Sequence, residues 1–456
     1  MAKSPTTATT GTREATEPPT APAPESASVT APASASAPEP SGRITGADGV
    51  RALAALMVIF HHLFQKLYVP GQSPWLQDAH GMIIKGASGV SIFFVLSGML
   101  LSYPFWRAYF QKRPHPSIRH YVARRAARIM PGFYVALAVG FWVTAAIARN
   151  HGAQVTQPLR RLIAGATFTS EFHWVTFFPD DSNGPLWSIG FEVFCYALLP
   201  LFMLGLFAIR RRGRRIAWGY WAGAFALILL ANQWVLSTFV PDEFGRGWQY
   251  GVTGGAKLWM PDYNPVGFFG HFAMGIFAAG FIAAWKVFHG GRRSWWFDAV
   301  AGAAFAGILA LFWFKRYPAE MDNTLSLQGQ PYFFPLLAGL VAILLSSLAY
   351  SVVLGRAFDN PFLRYTAKIS FGLYIWHYLI VLWVGRALEP DFLNYGGVED
   401  PWRLLEIGSF VLIVSYAVAT LSWHLIERPF LEGRFSGRRK ARLASPARST
   451  TTEGPA

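Results

Sequence analysis

Apolar runs of membrane length recur along most of the chain, separated by shorter polar stretches. About twenty apolar residues suffice for a helix to cross a bilayer. Ten runs meet or approach that length: 49–68, 86–105, 131–149, 186–209, 216–239, 264–287, 297–314, 331–354, 368–387 and 403–426. The pattern therefore predicts an all-α, polytopic membrane protein with about ten transmembrane helices. A further apolar stretch, 160–178, is short and carries Glu171 and His173. It reads as a re-entrant or interfacial piece rather than an eleventh span. No internal repeat is evident. Residues 1–45 are rich in Ala, Pro, Ser and Thr, and 432–456 form a basic stretch with Arg438, Arg439, Lys440 and Arg442. Both read as disordered cytoplasmic tails, because neither can bury enough apolar surface to offset its ordering entropy. The first lacks the basic start and apolar core of a signal peptide; the second is expected to touch anionic lipid.

Composition sharpens this picture. Apolar residues make up 53% of the 456 and charged residues only 14%, against about 25% charged in a typical soluble domain. So little charge cannot cover several globular cores, and lipid is the natural solvent. The single cysteine, Cys195, excludes a disulfide scaffold. The net charge of +15 follows topology. Arg124, Arg125 and Arg128 follow the second span, Arg210, Arg211, Arg212, Arg214 and Arg215 the fourth, Arg292 and Arg293 the sixth, and Arg356 and Arg364 the eighth. The alternate loops hold fewer bases and most of the acids. By the positive-inside rule both termini face the cytoplasm, as an even number of spans requires. Nucleic-acid binding is thereby set aside, and a plasma membrane location is expected.

Ionisable side chains within spans are costly, and each marks either a buried polar partnership or a function. Arg51 and His62 stand eleven residues apart in the first span. On an α-helix that is three turns plus about 20°, with a separation of about 16 Å along the axis, so they share a face. His61 falls about 80° off that line. His62 reads equally as a helix-to-helix hydrogen-bonding group or as a catalytic imidazole. Arg125 and Arg128 are three apart, on one helical face, and suit either a topology anchor or a bidentate grip on phosphates. Glu192 lies in the fourth span, with Ser188 and Tyr196 on its face. It suits an ion pair with an arginine of the bundle, or the orientation of a substrate or histidine. Ser370, Tyr374 and His377 share one side of the ninth span. Glu427 and Arg428 close the tenth, where a structural ion pair is expected. These residues also suit a proton-coupled membrane transporter, a reading weakened by the missing repeats. The expectation is that no metal is bound.

Taken in order, these segments resemble the acyltransferase 3 family of integral-membrane, acyl-CoA-dependent O-acyltransferases, from about Gly46 to Leu431. Arg51 and His62 match its Arg-x10-His signature, which selects His62 over His61. The run Gly89–Gly98 is similar to its Gly-Val-Asp-x-Phe-Phe-Val-Leu-Ser-Gly element, Arg125 to Arg128 to its Arg-x-x-Arg, and Trp187 to Glu192 to its Trp-Ser-x-x-x-Glu. Ser370–His377 and Ile426–Pro429 resemble its closing elements. Ser91 stands where the family commonly has Asp, and Val193 where a second Glu often follows. Members are often fused to an extracytoplasmic hydrolase-like domain, so a stand-alone form is expected here. The resemblance implies transfer of an acyl group, acetyl first among the candidates, from acyl-CoA to a hydroxyl. The acceptor expected is a glycan or glycolipid of the cell envelope, or a secondary metabolite such as a macrolide. It implies His62 as base, Arg51, Arg125 and Arg128 at the donor's phosphates, and Glu192 orienting either His62 or the acceptor. Direct transfer is expected rather than an acyl-enzyme, since no histidine is locally paired with Cys195.

Overall fold

The structure is a computed structural model. It describes residues 43–433, apart from 69–70, 72, 151, 153, 210–212, 239–255, 257–259, 318–324, 328–329 and 389–396. The expected tails, including Arg438, Arg439, Lys440 and Arg442, lie almost wholly outside the described residues.

Helices dominate, in the order α1 (Ala47–Leu67), α2 (Pro74–Ile84), α3 (Gly89–Phe110), α4 (Ile118–Asn150), α5 (Pro158–Ala166), α6 (Trp187–Ala208) and α7 (Arg214–Thr238). There follow α8 (Pro265–Phe288), α9 (Trp295–Phe314), α10 (Leu336–Leu348), α11 (Leu354–Phe358), α12 (Pro361–Leu388), α13 (Pro401–Ser422) and α14 (Arg428–Leu431). Among the described residues the only β-type pairings are two isolated bridges. Nine helices there are long and apolar enough to cross a membrane, and Leu336–Leu348 is a shorter apolar helix. The protein is an all-α, multi-pass membrane protein. Trp142, Leu230, Ile413 and Leu425 are exposed on these helices; facing lipid, such side chains need no protein cover.

Two spans differ in extent from the apolar pattern. The third begins thirteen residues earlier, at Ile118, so Arg124, Arg125 and Arg128 stand on the spanning helix itself. Pro131 lies inside that helix. The eighth, expected over 331–354, contracts to the thirteen residues of α10, about 20 Å of helix. Asp298 explains its end. Its carboxylate accepts from the backbone amides of Val352, Val353 and Leu354 at 2.7, 3.0 and 2.8 Å, which takes those donors out of a helical ladder. Arg293 donates to the Ser351 carbonyl and to Thr45 Oγ1, both at 3.0 Å, and ties the same turn to the start of the bundle.

The stretch 160–178 is not a span. It comprises α5, a turn, and the 3-10 turn Ser170–Phe172.

At the centre, α3 and α8 approach backbone to backbone. A Cβ at Gly98 would collide with the Phe272 carbonyl, and one at Gly275 with the Val95 carbonyl. Small residues permit this closeness. Beside this pair, α1 packs on α12 through Ile59, Ile369 and Leu373. That contact sets the helices that carry His62 and His377 side by side.

Candidate active site

Five helices enclose a cavity of about 250 Å³. α1 contributes Arg51, α3 Phe93 and Ser97, α4 Arg125 and Arg128, α6 Ser188, Glu192 and Tyr196, and α12 Ser370 and Tyr374. The five helices thus deliver three arginines, one carboxylate and several hydroxyls to one space. Glu192 is half-buried and accepts at Oε1 from Ser97 Oγ at 2.8 Å and from the Tyr196 hydroxyl. Two neutral donors therefore hold the carboxylate, and it makes no ion pair with a described arginine.

The arginines are not equivalent. Arg128 Nη1 lies 3.1 Å from Glu427 Oε2, and its guanidinium sits 5.2 Å from the ring centre of Trp423 and 5.8 Å from that of Phe371. Arg428 pairs with Glu432 at 2.6 Å. The ion pair expected at the end of the tenth span is thus made by Glu427 with Arg128, and the neighbours Glu427 and Arg428 do not pair with each other. Arg51 and Arg125 form no ion pair with any described residue. They are the cavity's uncommitted cations.

The two adjacent histidines of α1 have different surroundings. His61 is buried, with Nδ1 2.7 Å from the Ile84 carbonyl at the end of α2; it joins helices. His62 Nδ1 lies 3.0 Å from the Val58 carbonyl and 3.0 Å from His377 Nε2. His377 is buried on α12, its Nδ1 2.9 Å from the Leu373 carbonyl. The Tyr378 ring stands edge-on to His62, 4.9 Å between centres.

The lining of the arginine cavity does not include His62. Tyr374 forms part of that lining, with its ring centre 6.2 Å from that of His377. Its hydroxyl is 2.6 Å from Ser188 Oγ and 3.1 Å from the Pro185 carbonyl. The structure therefore brings Arg51, Arg125, Arg128 and Glu192 together and sets His62 beyond a wall of Tyr374 and His377. Glu192 and His62 have no hydrogen-bond partner in common.

Two polar features escaped sequence reasoning. His271, in the sixth span, is fully buried, with Nδ1 2.7 Å from Ser91 Oγ. A histidine within an apolar run was the available signal. The other is the loop after α5. Arg161 of α5 is buried and holds that loop, donating to the Phe178 carbonyl at 3.0 and 2.8 Å and to Asp181 at 3.0 and 2.7 Å. Asn183 Nδ2 donates to the Ile375 carbonyl at 2.9 Å, pinning the loop to the histidine-bearing helix. Burial pushes the carboxyls of Glu171 and Asp180, which lie outside the spans, up to about 7. A raised carboxyl favours the folded state while protonated, and that advantage fades as pH rises from about 4.5 toward 7. Glu171→Gln should therefore flatten the loss of thermal stability between pH 5 and pH 8 in detergent. Equal losses in variant and parent would show that Glu171 does not carry this dependence.

The structure defines the class of protein: an all-helical membrane bundle with a cationic, hydroxyl-lined cavity. The comparison with known proteins narrows it. The sequence profile of the acyltransferase 3 family, described as an acyltransferase domain, matches residues 44–424. The chain belongs to that family and is a membrane O-acyltransferase.

Among its relatives is Nodulation protein 10 of Rhizobium leguminosarum bv. viciae, 25% identical over 87% of this chain and 95% of the relative. A Bacillus subtilis (strain 168) protein, provisionally named peptidoglycan O-acetyltransferase YrhL, is 24% identical over 85% of this chain and 54% of its own length. A Staphylococcus aureus (strain COL) protein, provisionally named an O-acetyltransferase, is 23% identical over 85% and 57%. The chain thus spans nearly all of the first relative and little more than half the length of the other two. No solved structure matches the chain. Among the described residues no cluster of three or more His, Cys, Asp or Glu is placed to hold a metal ion.

Proposed function

We propose that this protein transfers a short acyl group, acetyl foremost, from acyl-CoA to a hydroxyl of a cell-envelope glycan or glycolipid. The observation that carries the reading is the convergence of Arg51 and Arg125, neither ion-paired with a described residue, on one cavity inside the bundle. Guanidinium groups bind phosphates through paired, charge-assisted hydrogen bonds. At about 250 Å³ the space is smaller than the usual 300–1,000 Å³ of a drug-sized pocket. It suits a slender pantetheine arm, with the nucleotide at its basic mouth.

Arg51 and Arg125 hold the donor's phosphates in this reading. Arg128, already paired with Glu427, adds positive potential to the wall. Glu192, held by Ser97 and Tyr196, orients a polar group inside the cavity rather than His62. In this reading the donor enters from the cytoplasmic side of the plasma membrane, which the positive-inside pattern supports. The arm runs along α1 toward His62, about 16 Å from Arg51. Because the cavity lining ends at Tyr374 and omits His62, the Tyr374 side chain must move aside when the donor binds.

A sugar or alcohol hydroxyl is a poor nucleophile at neutral pH and needs a base. His62 accepts the hydroxyl proton as oxygen attacks the thioester carbonyl carbon. The C–S bond then breaks, and the departing thiolate takes the proton from the imidazolium. The products are an O-acyl ester and free CoA. An envelope glycan is favoured as acceptor by the name of the Bacillus relative; a secondary-metabolite hydroxyl is the other acceptor of matching chemistry.

Purified protein incubated with labelled acetyl-CoA and cell extract should pass label to an alkali-labile ester. Arg125→Ala should raise the apparent KM for acetyl-CoA about 10–100-fold with little change in kcat, the loss of one charged hydrogen-bonding contact. No transfer by the parent protein would sink the reading. An unchanged donor KM in the variant would remove Arg125 from the donor site.

A further inference from the structure

We propose that His377 is a positioning residue that fixes the tautomer of His62 and leaves its Nε2 bare to receive a proton. The proposal rests on the reading of His62 as the base, and it names the group that prepares that base.

The hydrogen-bond chain determines where the protons lie. His377 Nδ1 is 2.9 Å from the Leu373 carbonyl, and a carbonyl oxygen can only accept. Nδ1 of His377 therefore carries the hydrogen. A neutral imidazole has one donor and one acceptor nitrogen, so His377 Nε2 presents a lone pair. That lone pair lies 3.0 Å from His62 Nδ1, which also faces the Val58 carbonyl at 3.0 Å. Two acceptors converge on one nitrogen, and Nδ1 of His62 must donate to them. Its Nε2 is then the unprotonated nitrogen. The opposite tautomer would set the bare Nδ1 of His62 against both acceptors, and burial of His377 keeps water from relieving that repulsion.

The neighbours keep the ring from turning away. Tyr378 stands edge-on to it at 4.9 Å and His61 at 4.8 Å, while Asn183 fastens α12 at the Ile375 carbonyl, two residues before His377. When His62 Nε2 accepts the substrate proton, its Nδ1–H to His377 Nε2 becomes a charge-assisted bond and strengthens. His377 thus fixes the resting tautomer and steadies the imidazolium, without touching substrate.

Two replacements separate this role from packing. His377→Ala removes the acceptor. His377→Gln returns an acceptor oxygen near the former Nε2 position. Nitrogen-15 NMR of ring-labelled protein in lipid nanodiscs, with the His62 signals identified by their loss in His62→Gln, reads the tautomer without any substrate. The expected result is a protonated Nδ1 and bare Nε2 in the parent and in His377→Gln, and a measurable share of the other tautomer in His377→Ala, where the Val58 carbonyl alone holds the hydrogen on Nδ1. With labelled acetyl-CoA and the acceptor-containing extract, kcat should fall about 10–100-fold in His377→Ala. The donor KM should stay unchanged, and His377→Gln should recover most of the rate. A protonated Nε2 on His62 of the parent, or the same tautomer in His377→Ala, would overturn the proposal. So would equal losses of rate in the two variants. Full turnover by His62→Ala, with the tautomer pattern as expected, would instead overturn the base assignment on which the proposal rests.

Discussion

His62→Ala is expected to lower acyl transfer about 10²–10⁴-fold, the usual contribution of a positioned general base. Expression and donor KM should be little changed, and thermal stability should fall only moderately. The side chain is half-buried and makes its hydrogen bonds at a single nitrogen, to Val58 and His377. The Val58 carbonyl keeps its place in the helix when the imidazole is gone. The cost falls on His377, whose Nε2 loses its donor, about 1–3 kcal/mol for a buried acceptor left unpaired. The loss of rate expected corresponds to about 2.7–5.4 kcal/mol of activation free energy, so activity should be compared per unit of folded protein.

His61→Ala is the matched control. It removes a neighbouring imidazole and the link to the Ile84 carbonyl, so it should cost stability while sparing turnover. Near-parental transfer by His62→Ala, measured as labelled ester per unit of folded protein, would remove His62 as base. A loss shared equally by the two variants would assign the effect to packing of α1.

What could be read from sequence divides along a physical line. Arg51 and Glu192 stood out because an ionisable group inside an apolar helix is costly enough to need a reason, and Arg125 because it shares a helical face with Arg128; all three line one cavity. The face shared by Arg51 and His62 followed from helical geometry alone, and α1 runs unbroken through both. Contacts between distant helices were not legible. His62 meets His377 across 315 residues and Arg128 meets Glu427 across 299; no local periodicity encodes such pairs. Nor could the sequence choose between the two expected roles of Glu192, orienting His62 or the acceptor; its hydrogen bonds run to Ser97 on a third helix and to Tyr196. The shortened eighth span is a related case. Hydropathy over 331–354 is continuous, but Asp298 from the preceding helix takes the amides that a longer helix would have needed.

Breaking the Arg128–Glu427 pair should give the largest loss of stability among the site residues. Glu427 is fully buried, whereas Arg128 keeps 19% of its side chain exposed. Removing the partner of a buried charge typically costs about 3–5 kcal/mol, because the charge left behind has neither water nor a counter-ion. Arg128→Ala should approach that range. Glu427→Gln should cost less, since the guanidinium keeps its place over Trp423 and Phe371, contacts worth about 0.5–2 kcal/mol, and retains some access to solvent. The double variant should be more stable than the sum of the two losses predicts, because neither charge is then stranded. Unfolding in detergent micelles measures all three.

The same variants decide between two roles for Arg128. If it mainly grips the donor, Arg128→Ala should raise the acetyl-CoA KM and leave unfolding near the parent. If the pair mainly closes the bundle, stability should fall first, and Glu427→Gln should leave donor affinity intact or improve it by freeing a guanidinium already on the cavity wall. Burial of Glu427 favours the second outcome. A strict additivity of the two single losses would show that the pair carries no coupling, despite the 3.1 Å between its charged atoms.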